Sequence, residues 1–163
     1  MSVASLVKSL GLVPHPEGGW YNEIWAGEYE VTREGLPGPR KVGATIYYLV
    51  DRPHFMCWHK LEIDEAHYWH AGGTFLVHTL TESGEYKLLK LGDNLKNEEC
   101  HYQHVIPHNT WMAGELADDT DFVLTGMACF PGFVFQDWKM GTKDALVTKF
   151  PDHKELIERL TRK

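Results

Sequence analysis

Met56-Cys57-Trp58-His59-Lys60-Leu61-Glu62-Ile63-Asp64-Glu65 separates into two faces when read with the period of a β-strand. The odd positions are Cys57, His59, Leu61, Ile63 and Glu65; the even ones are Met56, Trp58, Lys60, Glu62 and Asp64. Lys60, Glu62 and Asp64 assign the even face to solvent, so the face with Leu61 and Ile63 is the buried one and His59 points inward. Glu65 shares that face if the strand keeps its register through Asp64-Glu65, a step that also reads as a turn.

Outward from this segment, runs of similar character recur at Ala44 to Val50, Phe75 to Leu80, Tyr86 to Leu91, His101 to Ile106 and Phe122 to Phe130, and the quoted strand itself extends to Ile63. Glu82-Ser83-Gly84-Glu85 and Gly92-Asp93-Asn94 supply turns between them. Many short strands predict a sandwich or barrel. Helical spacing is confined to the ends. Val3, Leu6, Val7 and Leu10 fall at i, i+3, i+4 and i+7 with Gly11 following, which predicts a helix over 2–10 packed outside a sheet. Asp152 and Glu155 are spaced as a capping box ahead of an apolar stripe of Leu156, Ile157 and Leu160. No repeat, linker or low-complexity stretch interrupts the chain, so residues 1–163 are expected to form a single domain.

The composition agrees. With 163 residues, 43% hydrophobic and 24% charged, the chain matches ordinary globular usage, and a domain of this size buries roughly 70% of its unfolded surface. The formal charge of -7 and the scattered Lys and Arg leave no basic footprint for nucleic acid. No run approaches the roughly 20 apolar residues of a membrane span. Met1 to Val13 lacks the features of a signal peptide. Cys57, Cys100 and Cys129 form no Cys-x-x-Cys pair and read as small buried hydrophobes in a reducing, cytoplasmic setting.

An inward His59 and Glu65 offer nitrogen and oxygen donors for a divalent metal, or an acid/base pair. A core histidine satisfied by a backbone carbonyl or by Glu65 itself fits the same spacing. His67 and His70 are the next candidates by proximity, with their facing left open by Tyr68-Trp69, while His101, His104 and His108 read as rim residues. Pro16-Glu17-Gly18-Gly19-Trp20-Tyr21 joins two glycines, which allow close backbone approach, to two aromatics; it suits closure of one end of a pocket or a turn feeding the first strand. Tyr47, Trp111 and Phe130 are the expected apolar walls of a ligand cavity. Asp137 reads as the partner of a cation or as a turn cap.

The spacing His59-x-Leu61-x3-Glu65-x6-Gly72 resembles the first cupin motif, and Pro107-x-Asn109-x2-Met112 falls where the second is expected. Pro14-His15-Pro16-Glu17-Gly18-Gly19-Trp20, Thr45-Ile46-Tyr47-Tyr48-Leu49, Trp58-His59, His70-Ala71-Gly72, Pro131-Gly132-Phe133-x-Phe135-x-Asp137 and the closing Phe150-Pro151-x-His153 segment are similar to a group of small single-domain cupins of unknown function. The resemblance implies an all-β fold, a double-stranded β-helix or cupin jelly roll with short N- and C-terminal helices, a ligand-sized cavity and a homodimer. In metal-binding cupins the two motifs supply three His and one Glu; the corresponding positions here are His59, Leu61, Glu65 and Met112, and two of the four are not ligands.

The expectation is therefore a cupin that binds a small molecule, with His59 and Glu65 catalytic, Tyr47, His70, Trp111 and Phe130 ligand-binding, and no metal. A metal-independent isomerase or epimerase acting on a sugar-like or organic-acid substrate is the leading reading. The alternatives are a metal-dependent oxygenase or isomerase holding a divalent ion through His59, Glu65 and His70 or His67, a non-catalytic binder or sensor, and a scaffold whose surface serves protein interaction.

Overall fold

The computed structural model describes residues 2–117 and 120–162. One sheet has the order β1 (Val13–Pro14), β2 (Trp20–Ala26), β5 (Ala44–Asp51), β12 (Phe122–Phe130), β7 (Asp64–Gly72), β10 (Gln103–Ile106). The other runs β13 (Trp138–Met140), β6 (Met56–Leu61), β11 (Trp111–Leu116), β8 (Phe75–Leu80), β9 (Tyr86–Leu91), and β3 (Glu30–Val31) pairs with β4 (Arg40–Lys41) outside both. All ladders are antiparallel, and the strand order interleaves distant parts of the chain as a jelly roll requires. The inner faces meet in one apolar core: Tyr48 and Val50 of β5 and Val123 and Met127 of β12 pack with Met56, Phe75, Val77 and Met112 from the opposite sheet.

Each outer face is handled differently. The five-stranded sheet turns Trp58, Leu80, Trp111 and Ala113 outward under Leu146 of α2 (Lys143–Lys149), Phe150, and Ile157 of α3 (Lys154–Arg159). Trp58 is fully buried there, which the charged residues sharing its face did not foretell. α1 (Val3–Ser9) is capped by the Ser2 side chain, which accepts from the Ser5 N–H at 3.2 Å, and it covers only one end of the six-stranded sheet, over Leu49 and Leu124.

Strands Phe75–Leu80, Tyr86–Leu91 and Phe122–Phe130 have the expected bounds. β7 is an addition: after β6 ends at Leu61 the chain bends at Glu62-Ile63 and Asp64 already begins a nine-residue strand. β2, β11 and α2 are additions too, and β10 starts at Gln103 instead of His101. The expected Asp152 cap is replaced by a 3-10 turn, Pro151–His153, leading into α3 without a side-chain cap.

Strict alternation also fails within β6. Met112 pairs with His59, but Gly114 pairs with Met56, so Cys57 and Trp58 together stand opposite Ala113. This bulge resets the phase, which is why Met56 lies in the interior core with His59 still facing inward and Trp58 outward.

A buried ion pair fastens the loop that precedes β5. The Arg40 guanidinium donates from Nε to Asp137 Oδ2 at 2.8 Å and from Nη2 to Oδ1 at 2.7 Å, while Nη1 reaches the carbonyl oxygens of Pro37 and Pro39. Asp137 thus has the cationic partner its surroundings call for. Breaking a paired buried charge leaves the other uncompensated, whereas replacing both with apolar groups removes the desolvation cost as well. Asp137→Leu alone is expected to lower Tm measured by calorimetry, and the Arg40→Met/Asp137→Leu double variant to recover most of the loss; equal Tm for the single variant and wild type contradicts this role.

Candidate functional site

A cavity of about 270 Å³ lies between the sheets, lined among others by His15, Glu17, His59, Glu65, Phe133 and Trp138. His59 and Glu65, the expected pair, both reach it, but they are not partners of each other. The His59 Nδ1–H donates to the Cys57 carbonyl at 2.8 Å, since that oxygen can only accept. Nε2 is thereby left facing the cavity, 3.2 Å from Glu17 Oε2. At that separation the two groups form an ion pair whenever the ring carries a second proton. The indole N–H of Trp138 donates to the same Glu17 oxygen at 3.2 Å.

Glu17 stands where it does because of its backbone. The Cys57 N–H in the bulge donates to the Glu17 carbonyl at 2.8 Å, and the Tyr48 hydroxyl, fully buried, donates to the Gly18 carbonyl at 2.8 Å. Gly18 and Gly19 have φ of +117° and +66°, and a Cβ on them would sit 1.9 Å from the Phe55 carbonyl oxygen and 2.4 Å from that of Leu49. Only glycine permits both the conformation and the approach. The segment quoted as Pro16 to Tyr21 therefore carries a chemical group into the cavity, with Tyr21 lining it as well.

His15 completes this end. Its Nδ1 accepts the Glu17 N–H at 3.2 Å, and its ring stands edge-on to Tyr21, centroids 4.6 Å apart. Burial holds its imidazole below the ordinary value, only partly offset by Glu17.

Glu65 has its own partners. His67 Nε2 lies 2.8 Å from Oε2, and the Cys129 thiol donates to Oε1 at 3.6 Å. His67 Nδ1 is buried without a hydrogen-bond partner, so Nε2 carries the proton donated to Glu65. Burial alone would push the Glu65 carboxyl up; the His67 imidazole, with His59 and Cys129, outweighs burial and holds it below the usual carboxylate range. Burial and the adjoining carboxylate push the Cys129 thiol far up.

The other expected site residues lie elsewhere. Trp111 faces outward from β11 into the layer under the C-terminal helices, with the Lys60 ammonium 5.0 Å from its ring. Tyr47, His70 and Phe130 occupy the outer face of the six-stranded sheet, because the inward positions of β5, β7 and β12 belong to Ile46, Tyr48, Glu65, His67, Met127 and Cys129. The His70 ring stands 5.8 Å from Tyr47 across that outer face. His70 thus cannot join His59 and Glu65 around an ion, and His67 is committed to Glu65 from behind.

The usual cupin metal does not fit this set. Leu61 lines the cavity and Met112 is in the apolar core, at the positions where a metal-binding cupin has histidines. Among the described residues no three His, Cys, Asp or Glu side chains gather in a group able to hold an ion. What the arrangement supplies is a close His59–Glu17 pair, a second carboxylate at Glu65, and walls that are otherwise mostly apolar.

These groups tie stability to pH. Burial holds His15, His70, His78 and His104 below the ordinary imidazole value. The unfolded chain therefore binds protons near pH 6.5 that the folded chain does not, and stability declines as pH falls from there through the lower folded values. Glu65 acts in a more acidic window: its contribution is intact above the unfolded carboxyl value of about 4.3 and is lost as pH falls through its lower folded value. Tm is expected to fall in two stages between about pH 7 and about pH 3, with His15→Gln making the first stage shallower; a Tm unchanged between about pH 7 and about pH 5 contradicts the burial argument.

Comparison with known proteins agrees with the architecture. The sequence matches the family model described as Cupin superfamily (DUF985) over residues 4–141. A protein of Shewanella oneidensis is similar in structure, with 27% identity, a TM-score of 0.88 and coverage of 99% of this chain and 98% of that one. A hypothetical protein from Leishmania major is similar at 25% identity and a TM-score of 0.93, over 100% of both chains. Oxalate decarboxylase from Bacillus subtilis shares the fold at 16% identity and a TM-score of 0.55, over 90% of this chain but only 36% of its own. No curated protein matches significantly. A match to the family model over most of the length, on a jelly roll that keeps the first-motif His59 and Glu65 in its interior, means that this chain belongs to the DUF985 family of the cupin superfamily.

Proposed function

We propose that the protein takes a small organic molecule into the barrel cavity and moves a proton on it without a metal, as an isomerase or epimerase acting on a sugar-like substrate. The observation that carries this reading is the orientation of His59. Its Nδ1 is tied to the Cys57 carbonyl, so Nε2, 3.2 Å from Glu17 Oε2, is the nitrogen left facing the cavity. An imidazole fixed in one tautomer with a carboxyl group beside it is suited to give and take a proton. Glu17 occupies the place expected for Glu65 beside His59, and Glu65 supplies a second acid/base group on the same cavity. An organic-acid substrate fits less well, because the lining contains Glu17, Glu23 and Glu65 but no Lys or Arg.

The reaction has a direct isotopic readout. A molecule retained by the native full-length protein, identified by mass spectrometry and incubated with it in D2O, is expected to take up deuterium at carbon. Since general acid–base catalysis contributes roughly 10²–10⁴-fold, His59→Asn is expected to slow this uptake by at least about 100-fold, and Glu17→Gln to slow it and displace its pH optimum. Release of the molecule unlabelled and unchanged would mark a binder or sensor instead.

We also propose a homodimer through the uncovered part of the six-stranded sheet. Beyond the reach of α1, its outer face presents Ile24, Tyr68, Val105 and Phe130, exposed at 52%, 36%, 64% and 52%. Thr45, Ala66, Gly126 and Ala128 lie between them without a charge, and Asp64, opposite Phe130 at the edge, is engaged by His108. On a chain of charge -7, two copies meet at least electrostatic cost on such a patch, and a two-fold axis makes it its own complement. Free, buried cysteines suit a reducing cytoplasm, and no helix among the described residues is long and apolar enough to cross a membrane. Light scattering is expected to give twice the chain mass for wild type and the single-chain mass for Val105→Arg; a wild-type monomer at all concentrations overturns the dimer.

A further inference from the structure

We propose that the molecule taken into the cavity carries a small organic ammonium group, which narrows the sugar-like substrate to an amino-bearing one and rests on the cavity being the small-molecule site. Three carboxylates line the cavity: Glu17, Glu65 and, exposed at its mouth, Glu23. Only two imidazoles are placed to offset them, His59 against Glu17 and His67 against Glu65. His15, the remaining imidazole of the lining, uses Nδ1 to accept the Glu17 N–H, which an imidazolium could not do, and burial disfavours its charged form. Even with both partner imidazoles protonated, one carboxylate stays uncompensated.

Two permanent cations stand outside the lining, and the charge of Arg162 reaches only its His15 and Tyr48 end. Arg162 donates to the Pro16 carbonyl, and Arg40 is locked to Asp137. Neither lines the cavity. Any ion entering here loses hydration; an anion does so against a net negative field, a neutral molecule gains nothing from that field, and a cation recovers the cost as Coulomb energy with the carboxylates.

The walls add a second, independent feature. Phe133, Phe135, Trp138 and Tyr21 bring aromatic rings to the same cavity. Phe133 stands at 78° to Phe135, and Phe135 at 86° to Trp138, so the wall presents differently oriented rings instead of one parallel stack. Ring faces attract ammonium groups through their quadrupole, more strongly when the cation is desolvated. Trp138 is also held by its N–H bond to Glu17, so a ring and a carboxylate are fixed side by side. At about 270 Å³, the space suits a molecule of headgroup size and excludes larger ligands.

Three probes of nearly one shape separate charge from size: choline, its uncharged analogue 3,3-dimethylbutan-1-ol, and 3,3-dimethylbutanoate. Calorimetric titration of the full-length protein at neutral pH and low salt is expected to show choline binding at least about ten-fold more tightly than the alcohol, with no binding of the carboxylate. The preference should shrink in high salt and in Glu23→Gln, whose exposed position leaves the fold intact. An alcohol that binds as tightly as choline, a carboxylate that binds best, or silence from all three overturns the ammonium assignment. Alcohol or carboxylate binding would leave the cavity a small-molecule site and remove only the charge class, while the deuterium experiment on His59→Asn tests the catalytic reading separately.

Discussion

Both backbone groups of Cys57 are spent on the site, and the rest of its geometry depends on them. The N–H holds the Glu17 carbonyl, and the carbonyl receives the His59 Nδ1–H, so a single peptide region sets the distance between imidazole and carboxyl group. In a regular antiparallel strand those groups would be absorbed by the ladder. The bulge opposite Ala113 frees them, which ties an irregularity of the sheet directly to the chemistry.

The same irregularity links the site to the outer layer. Trp58, next along the bulge, points its side chain into the cluster with Leu146, Ile157 and Leu160, and its backbone N–H donates to the Leu160 carbonyl. The C-terminal helices thus brace the strand from outside while Glu17 and His59 occupy it from within. Well-packed side chains on both faces of β6 make its position hard to shift, which is what two groups held at a set distance require.

Much of the fold was legible because its strands obey the simplest rules. Phe75–Leu80 and Tyr86–Leu91 are bounded by turn residues, and His59 could be assigned inward because Leu61 shares its phase. Legibility ended where neighbours look alike. Tyr47 and Tyr48 are equally aromatic, so nothing local tells which one fills the barrel, and the histidines at 67 and 70 flank two rings in the same way. Trp58 escaped because a face that is charged at Lys60 can still be apolar two residues earlier when a helix covers it. The Glu17–His59 pairing had no signal in spacing at all, since forty-two positions separate the partners; the glycines at 18 and 19 marked a close approach but not what was approached.

The barrel supplies the imidazole from its wall, but the acid beside it arrives on a short crossing that precedes the first long strand. Architecture and reactivity are thus carried by different parts of the molecule. Divergence among proteins of this design needs no rebuilding of the frame: the residue at position 17 alone sets whether the ring meets an acid, an amide or a hydroxyl, and one codon is enough to pass from one to the next.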